Sequence, residues 1–200
     1  MAQRFLSVLG AVLLLWWGSN LVIAFAEDLP HDHVKLTAEQ MYQQWSLVTP
    51  ADILHHAQEA AKHIHRNREQ AFKEFNDASN PQWWPNPPFF SPVIVMRCDE
   101  LRDVTHVYPE FLKSFSQPGV IRKFADTRGK HTFFDMCVKL KQRPDRPVWL
   151  SQLHFWPGVE GPVWMAVLGD PVKGTPYVIQ GFYITANPDI KKLNREYIGR

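Results

Sequence analysis

The chain has 200 residues, with 22 basic against 20 acidic side chains, a formal net charge of +2 and two cysteines. That balance creates no field strong enough to select nucleic acid or an anionic membrane surface, so no nucleic-acid partner is expected. The length and a 45% hydrophobic content suit one domain of ordinary size with a real core.

Residues 6–26 form a short apolar run behind a lone Arg4, closing in Ala24-Phe25-Ala26 and followed by Glu27-Asp28. A small-x-small triplet after such a run is the layout of a secretory signal peptide, so residues 1–26 are read as a leader cleaved after Ala26 and the mature chain as periplasmic or secreted. The alternative is an uncleaved anchor: the run approaches the roughly 20 residues that span a bilayer, although Gly18-Ser19-Asn20 interrupts it. Removing 26 of 200 residues leaves 174, enough for a single domain. In an exported chain an even cysteine count favours a disulfide over a metal site or a reactive thiol, so Cys98 and Cys137 are expected to be bridged.

Residues 27–48 read as a flexible arm carrying His31 and His33 and then a short helix, opened by the capping box Thr37-x-x-Gln40 and running to about Leu47. Thr49-Pro50-Ala51-Asp52 places a cap, a first-turn proline and an acidic third position in order, opening a second helix. From there Ile53, Ala57, Ala60, Ile64, Ala71 and Phe75 recur at three- and four-residue steps, lapsing once at Asn67-Arg68. This spacing predicts one buried helix face about 39 Å long. Residues 80–92 form a proline-pinned loop that carries Trp83, Trp84, Phe89 and Phe90. Strands are predicted over residues 93–98, 104–108, 148–156, 163–168 and 177–184 from their β-branched and aromatic content. The links among the last three contain Pro157-Gly158, Gly161-Pro162 and Gly169-Asp170-Pro171, short enough for antiparallel hairpins. Residues 130–141 suit a helix burying Phe133, Phe134, Cys137 and Leu140. Asn187-Pro188 opens a short polar helix, residues 187–200, with Ile190, Leu193 and Tyr197 on one side. Together these elements describe an α+β domain with one antiparallel sheet and helices on its faces.

Several stretches resemble the single Cache family of extracytoplasmic, PAS-like sensor domains. Asn67-Arg-Glu-Gln-Ala-Phe-Lys-Glu-Phe-Asn-Asp77 is similar to the family's "nGkeaAfaefnd" at the end of its long helix. His106-Val-Tyr-Pro109 is similar to "ahP", Asp126-Thr-Arg-Gly-Lys130 to "kDxxGk", Val148-Trp-Leu to "Gwv" and Gly181-Phe-Tyr183 to "GxY". The five pieces occur in family order over residues 67–184. Two features depart from the pattern: the "DxdG" turn is Asp99-Glu-Leu-Arg-Asp103 here, without glycine, and the lysine of "pKxxY" is missing around residues 162–164. The resemblance implies a PAS-like antiparallel sheet with a long N-terminal helix packed on it, a Cache-like domain over residues 49–186, and small-molecule binding rather than enzymatic activity or a cofactor. With no second apolar span and no transmitter segment in the sequence, a free-standing form is expected.

Other chemistries find little support in the residue pattern. His55, His56, His63 and His65 share one helix, but no pair has the three- or four-residue separation that brings two ligands to one metal, so no metal site is expected there. A histidine-based metal carrier is the third functional alternative. Ser151 and His154 lie three apart on a strand and point to opposite faces, which fails a triad. Trp149, Trp164, Tyr177 and Tyr183 fall on neighbouring strands and read either as core or as pocket walls. Arg97 ends an apolar strand, either as a solvent-facing terminus or as a fork that grips a carboxylate. The expected ligand set is Arg97 as anchor, Trp149, Trp164 and Tyr183 as walls, and His106 as a polar contributor. The loop of Trp83, Trp84, Phe89 and Phe90 reads as a cover for the sheet, a lid, or a surface docking on a membrane-bound partner protein. The leading functional expectation is a small-molecule-binding domain whose ligand is a small organic carboxylate, with the docking subunit as its alternative.

Overall fold

Two threonine caps organise the N-terminal helices. In the computed structural model, which describes residues 36–77, 79–83, 93–105, 109–156 and 158–199, Thr37 and Gln40 form the expected reciprocal box. It opens α1 (Ala38–Trp45) directly after the two-residue strand β1 (Leu36–Thr37). Thr49 and Asp52 repeat the device, with Pro50 in the first turn, at the start of α2 (Pro50–Asn67). The expected leader, His31 and His33 lie outside the described residues.

The single long helix expected over residues 50–75 is instead two. Arg68 adopts φ 46° and ψ −120°, ending α2 and starting α3 (Glu69–Phe75). Arg68 stands where the resembled pattern has a glycine, and a positive φ is the conformation glycine tolerates and other residues resist. The break turns α3 so that Phe72 packs edge-on against Tyr177, at 5.0 Å between ring centroids. It also brings Glu74 Oε2 to 2.6 Å from His63 Nε2.

The remaining elements are β2 (Ile94–Arg97), β3 (Arg102–Thr105), α4 (Pro109–Phe115), α5 (Val120–Lys123), α6 (Thr132–Gln142), β4 (Val148–Phe155), β5 (Val159–Glu160), β6 (Pro162–Pro171), β7 (Tyr177–Ile184) and α7 (Ile190–Leu193), followed by a π-helical turn (Asn194–Ile198). Five strands form one antiparallel sheet in the order β3-β2-β7-β6-β4, while β1 pairs in parallel with β5. This is the α+β, PAS-like arrangement expected from the sequence.

Close contacts and register assign the two faces of the sheet. Gly181 lets Ile53 of α2 lie directly on β7, where any Cβ would collide with the Ile53 side chain. Residues in register with Gly181 and its alternates therefore face α2: Arg97, Trp149, Ser151, Trp164, Ala166, Leu168, Asp170, Ile179 and Tyr183. Gly169 admits Met136 of α6 to the other face in the same way. There the sheet presents Ile94, Met96, Asp103, Leu150, Gln152, His154, Val167, Gln180 and Phe182.

Gly169-Asp170-Pro171 is accordingly not a hairpin turn but the end of β6; the turn falls at residues 172–176. The glycine serves a close approach rather than a reversal. The last helix starts later than expected, because Asp189 rather than Asn187 is its cap, accepting from the Lys192 N–H at 2.9 Å. Leu101 carries the glycine-less β2–β3 turn at φ 51°. Cys98 and Cys137 are bridged with Cα atoms 5.4 Å apart, tying α6 to the end of β2. The 39-residue separation corresponds to about 4 kcal/mol of chain-entropy stabilisation.

Two consequences are measurable. Arg68→Gly removes roughly 1–3 kcal/mol of backbone strain against about 0.5–1 kcal/mol of added unfolded-chain entropy. Thermal unfolding should show a net gain near 1 kcal/mol, and Arg68→Ala should show none. Asp170 is 7% exposed, and burial pushes its carboxyl up to about 6, with Lys173 opposing weakly. The folded state holds this proton more tightly than the unfolded chain. The group's contribution to stability is therefore most favourable below about pH 4 and declines as pH rises to about 6. Asp170→Asn should stabilise the domain at neutral pH by up to about 3 kcal/mol, with the gain disappearing in acid. A gain that persists unchanged at low pH would contradict this origin.

Candidate functional site

β4 is an edge strand, and an edge strand with unpaired backbone invites foreign strands. Here its outward groups are taken by side chains and by one turn. Asn194 acts as a one-residue partner strand: its Oδ1 accepts from Trp149 N–H at 3.0 Å and its Nδ2 donates to Trp149 O at 3.0 Å. Further along, Thr127 N–H and Oγ1 both donate to Leu153 O, at 3.0 and 2.7 Å, and Leu153 N–H donates to Asp126 Oδ2 at 3.2 Å.

Asp126 is the hub of this turn. Its Oδ1 accepts from the N–H groups of Arg128 and Lys130, at 2.9 and 3.0 Å, and its Oδ2 accepts from the Arg128 guanidinium at 2.6 Å. Burial alone would raise its pKa, but Arg128 and the backbone donors outweigh that and hold the carboxyl below its usual range. Arg128, Lys130 and Thr132 then converge on Ser151 O, at 3.2, 3.2 and 3.4 Å. The start of α6 is thereby held against β4. His131, its N-cap, provides no side-chain cap, so the first helical N–H groups keep their positive partial charge.

Beside this cationic rim, the face of the sheet toward α6 carries an uneven set of polar groups. Gln180 Nε2 donates to Asp103 Oδ1 at 3.1 Å, and burial pushes the Asp103 carboxyl well above the usual carboxylate range. On β4, Gln152 and His154 lie two residues apart on that face, and Gln152 Oε1 and His154 Nδ1 are buried without a hydrogen-bond partner among the described residues. Burial lowers the His154 pKa, with Asp126 partly opposing, so the ring is neutral at neutral pH. Phe124 packs against His154 at 5.1 Å and against Phe133 at 5.4 Å, and Phe133 meets Phe182 at 6.4 Å. His154 Nδ1 and the Gln152 amide, turned so that its Nε2 donor stands where Oε1 is, can orient a small polar molecule among these aromatic rings, and Lys130 on the adjoining Ser151 O favours an anionic one.

The expected ligand set does not assemble. Arg97, Trp149, Trp164 and Tyr183 do share a face, but it is the face covered by α2, and they are spread along it. Arg97 sits at the far end, already paired with Asp99 at 2.9 Å and Glu100 at 2.7 Å. These acids come from the departed turn, where the sequence offers no way to see them fold back. Trp149 is fully buried, a core residue. Trp164 meets a cation, but it is Arg128, 4.5 Å above its ring. His106 lies outside the described residues, as do Trp84, Phe89 and Phe90. Trp83 does not face a partner: it is 1% exposed and packs inward against Phe75 at 4.8 Å, His63 at 5.0 Å and His56 at 5.7 Å.

Burial lowers the His56 imidazole to about 4. Among the described residues no three metal-ligating side chains converge. On the α2 side, the crevice lined by Ile53, His56, Ala57, Val93, Ile179, Gln180 and Gly181 is closed even to water. Ser151 and His154 point to opposite faces, as strand parity requires. Sequence reasoning does not reach Gln152, His154 and Lys130 as site residues, although the Asp126–Lys130 resemblance marks the turn that positions them.

No family model and no curated protein matches the chain. Among solved structures, the chain is similar to the periplasmic sensor domain of a chemotaxis protein at 13% identity and a TM-score of 0.48, over 73% of this chain and 96% of that one. It is also similar to a Cache chemosensory domain studied for carboxylic acid recognition, at 15% identity and a TM-score of 0.43, over 74% of this chain and 92% of that one. Both likenesses are distant, and the PAS-like assignment stands on the sheet order and the two helix layers.

The hub role of Asp126 has a direct test. Asp126→Ala leaves a guanidinium and three backbone donors without their acceptor and should cost about 3–5 kcal/mol in urea unfolding. A cost under about 1 kcal/mol would mean that the turn holds the edge without its carboxylate.

Proposed function

We propose that the chain is an exported, non-enzymatic sensor-type domain of the single Cache kind that binds a small organic carboxylate against β4, between Gln152, His154 and the start of α6. The observation that carries this reading is the pair of buried polar atoms on one strand face, Gln152 Oε1 and His154 Nδ1, unpartnered among the described residues. Folded proteins satisfy nearly all such groups, and a bound molecule is one way to do so. Lys130 and the uncapped start of α6 add the positive character that suits a carboxylate, while Asp126 is fully engaged with its own turn. The sequence resemblance supports the class, and the apolar leader supports export.

Titration calorimetry with acetate, propanoate, succinate and glycine tests the reading. At least one acid should bind, and Gln152→Leu should weaken it roughly ten- to a hundredfold, the value of a hydrogen bond from the amide, turned to donate through Nε2, to a charged group. Arg97→Ala should leave affinity unchanged, because that guanidinium serves Asp99 and Glu100 on the other face. Full affinity in Gln152→Leu, or a loss confined to Arg97→Ala, would move the site away from β4.

A further inference from the structure

His154 is placed to do more than line that site. Its Nδ1 is buried and unpartnered among the described residues, and its ring is held by Phe124. The charged groups on the elements packed around it are few and mostly committed. From the turn, Asp126 and Arg128 bind each other, and Arg128 and Lys130 both donate to Ser151 O. From α5, Arg122 lies over Phe134 at 5.4 Å and Lys123 follows it; from the start of α6, His131 Nδ1 is bonded to Phe124 O at 3.0 Å and Asp135 lies one turn on. On the sheet itself, its neighbours Gln152 and Val163 carry no charge.

A carboxylate desolvated beside this ring would have the cationic rim at the strand edge but no full charge on the face it touches. The imidazole is the group there that can acquire one, and a proton on Nδ1 would turn an orphaned atom into a charge-assisted donor. Resting on the carboxylate reading above, we infer that the site takes up a proton together with its ligand, at His154, so that the bound state is a carboxylate–imidazolium pair and binding strengthens as the medium acidifies. The free site favours the neutral ring because of burial, so uptake on binding follows from linkage.

The test is calorimetry of the full domain with the same acids, in phosphate and in Tris at one pH. Buffers of different ionisation enthalpy report the number of protons exchanged. Between about pH 5 and 8, wild type should take up as much as one proton per ligand, and affinity should fall up to tenfold per pH unit on the alkaline side. His154→Gln keeps a hydrogen-bonding amide but no titrating group, and should bind with no proton uptake and a flat pH profile. Binding by wild type without proton exchange would overturn this inference and leave the carboxylate site standing. Proton uptake that survives in His154→Gln would place the proton elsewhere and would equally overturn it. If none of the acids binds, the carboxylate reading falls and this inference with it. Should His154→Gln fail to fold, the wild-type proton count and the NMR titration of its His154 ring with and without acetate decide the matter.

Discussion

Asp126 joins three parts of the molecule through one carboxylate. Its carboxylate closes the turn that follows α5, accepts a backbone donor from the edge strand β4, and neutralises Arg128, which crosses that edge to lie over Trp164. A buried carboxylate is tolerated only when its lone pairs are met, and here a guanidinium and three N–H groups meet them. The edge is blocked as a result, and Lys130 and the first turn of α6 are set beside Ser151 and Gln152. The candidate site is therefore a product of how this fold protects its open edge.

The two faces of the sheet differ in kind. Toward α2 the packing is close and apolar: Ile53 lies on Gly181, and Trp149 and Leu168 are fully enclosed. Toward α6 the aromatic rings are interrupted by Gln152, His154, Gln180 and Asp103. Polar groups cost stability unless paired, and on this face Gln152 Oε1 and His154 Nδ1 are left without a partner among the described residues, as Trp149 Nε1 is on the other. The disulfide from Cys98 to Cys137 anchors the helix layer on that polar face, where apolar packing is least continuous.

The expected site fails to assemble for a definable reason. Strand parity cannot show that the faces of Arg97, Trp149, Trp164 and Tyr183 coincide, which only the sheet register establishes, nor does it say which layer covers that face. Asp99 and Glu100 lie in the turn beyond Arg97, and only its folding back turns an apparent anchor into a local ion pair. Parity also separates His154 from Ser151, which excludes a triad but says nothing of what His154 meets on its own face.

Local chemistry is legible in the sequence wherever the relevant partners lie within a few residues. The two capping boxes, the apolar stripe of α2 and the β-branched strands all follow from short-range hydrogen bonding, periodicity and residue type, whereas the lapse at Asn67-Arg68 shows in the sequence without revealing that the helix breaks there. The α+β class follows from the order of elements, and the cysteine pairing from the even cysteine count read with the expectation of export. Long-range contacts decide the rest. Gly169 reads as a turn residue until Met136, thirty-three positions away, is seen to need its missing side chain. Likewise Gln152 and His154 are ordinary strand residues until register turns them toward α6, and Asp126 is an ordinary turn residue until β4 arrives at its side. Which residues become core and which polar atoms are left unpaired depends on what packs across the sheet, and that is set by the tertiary structure alone.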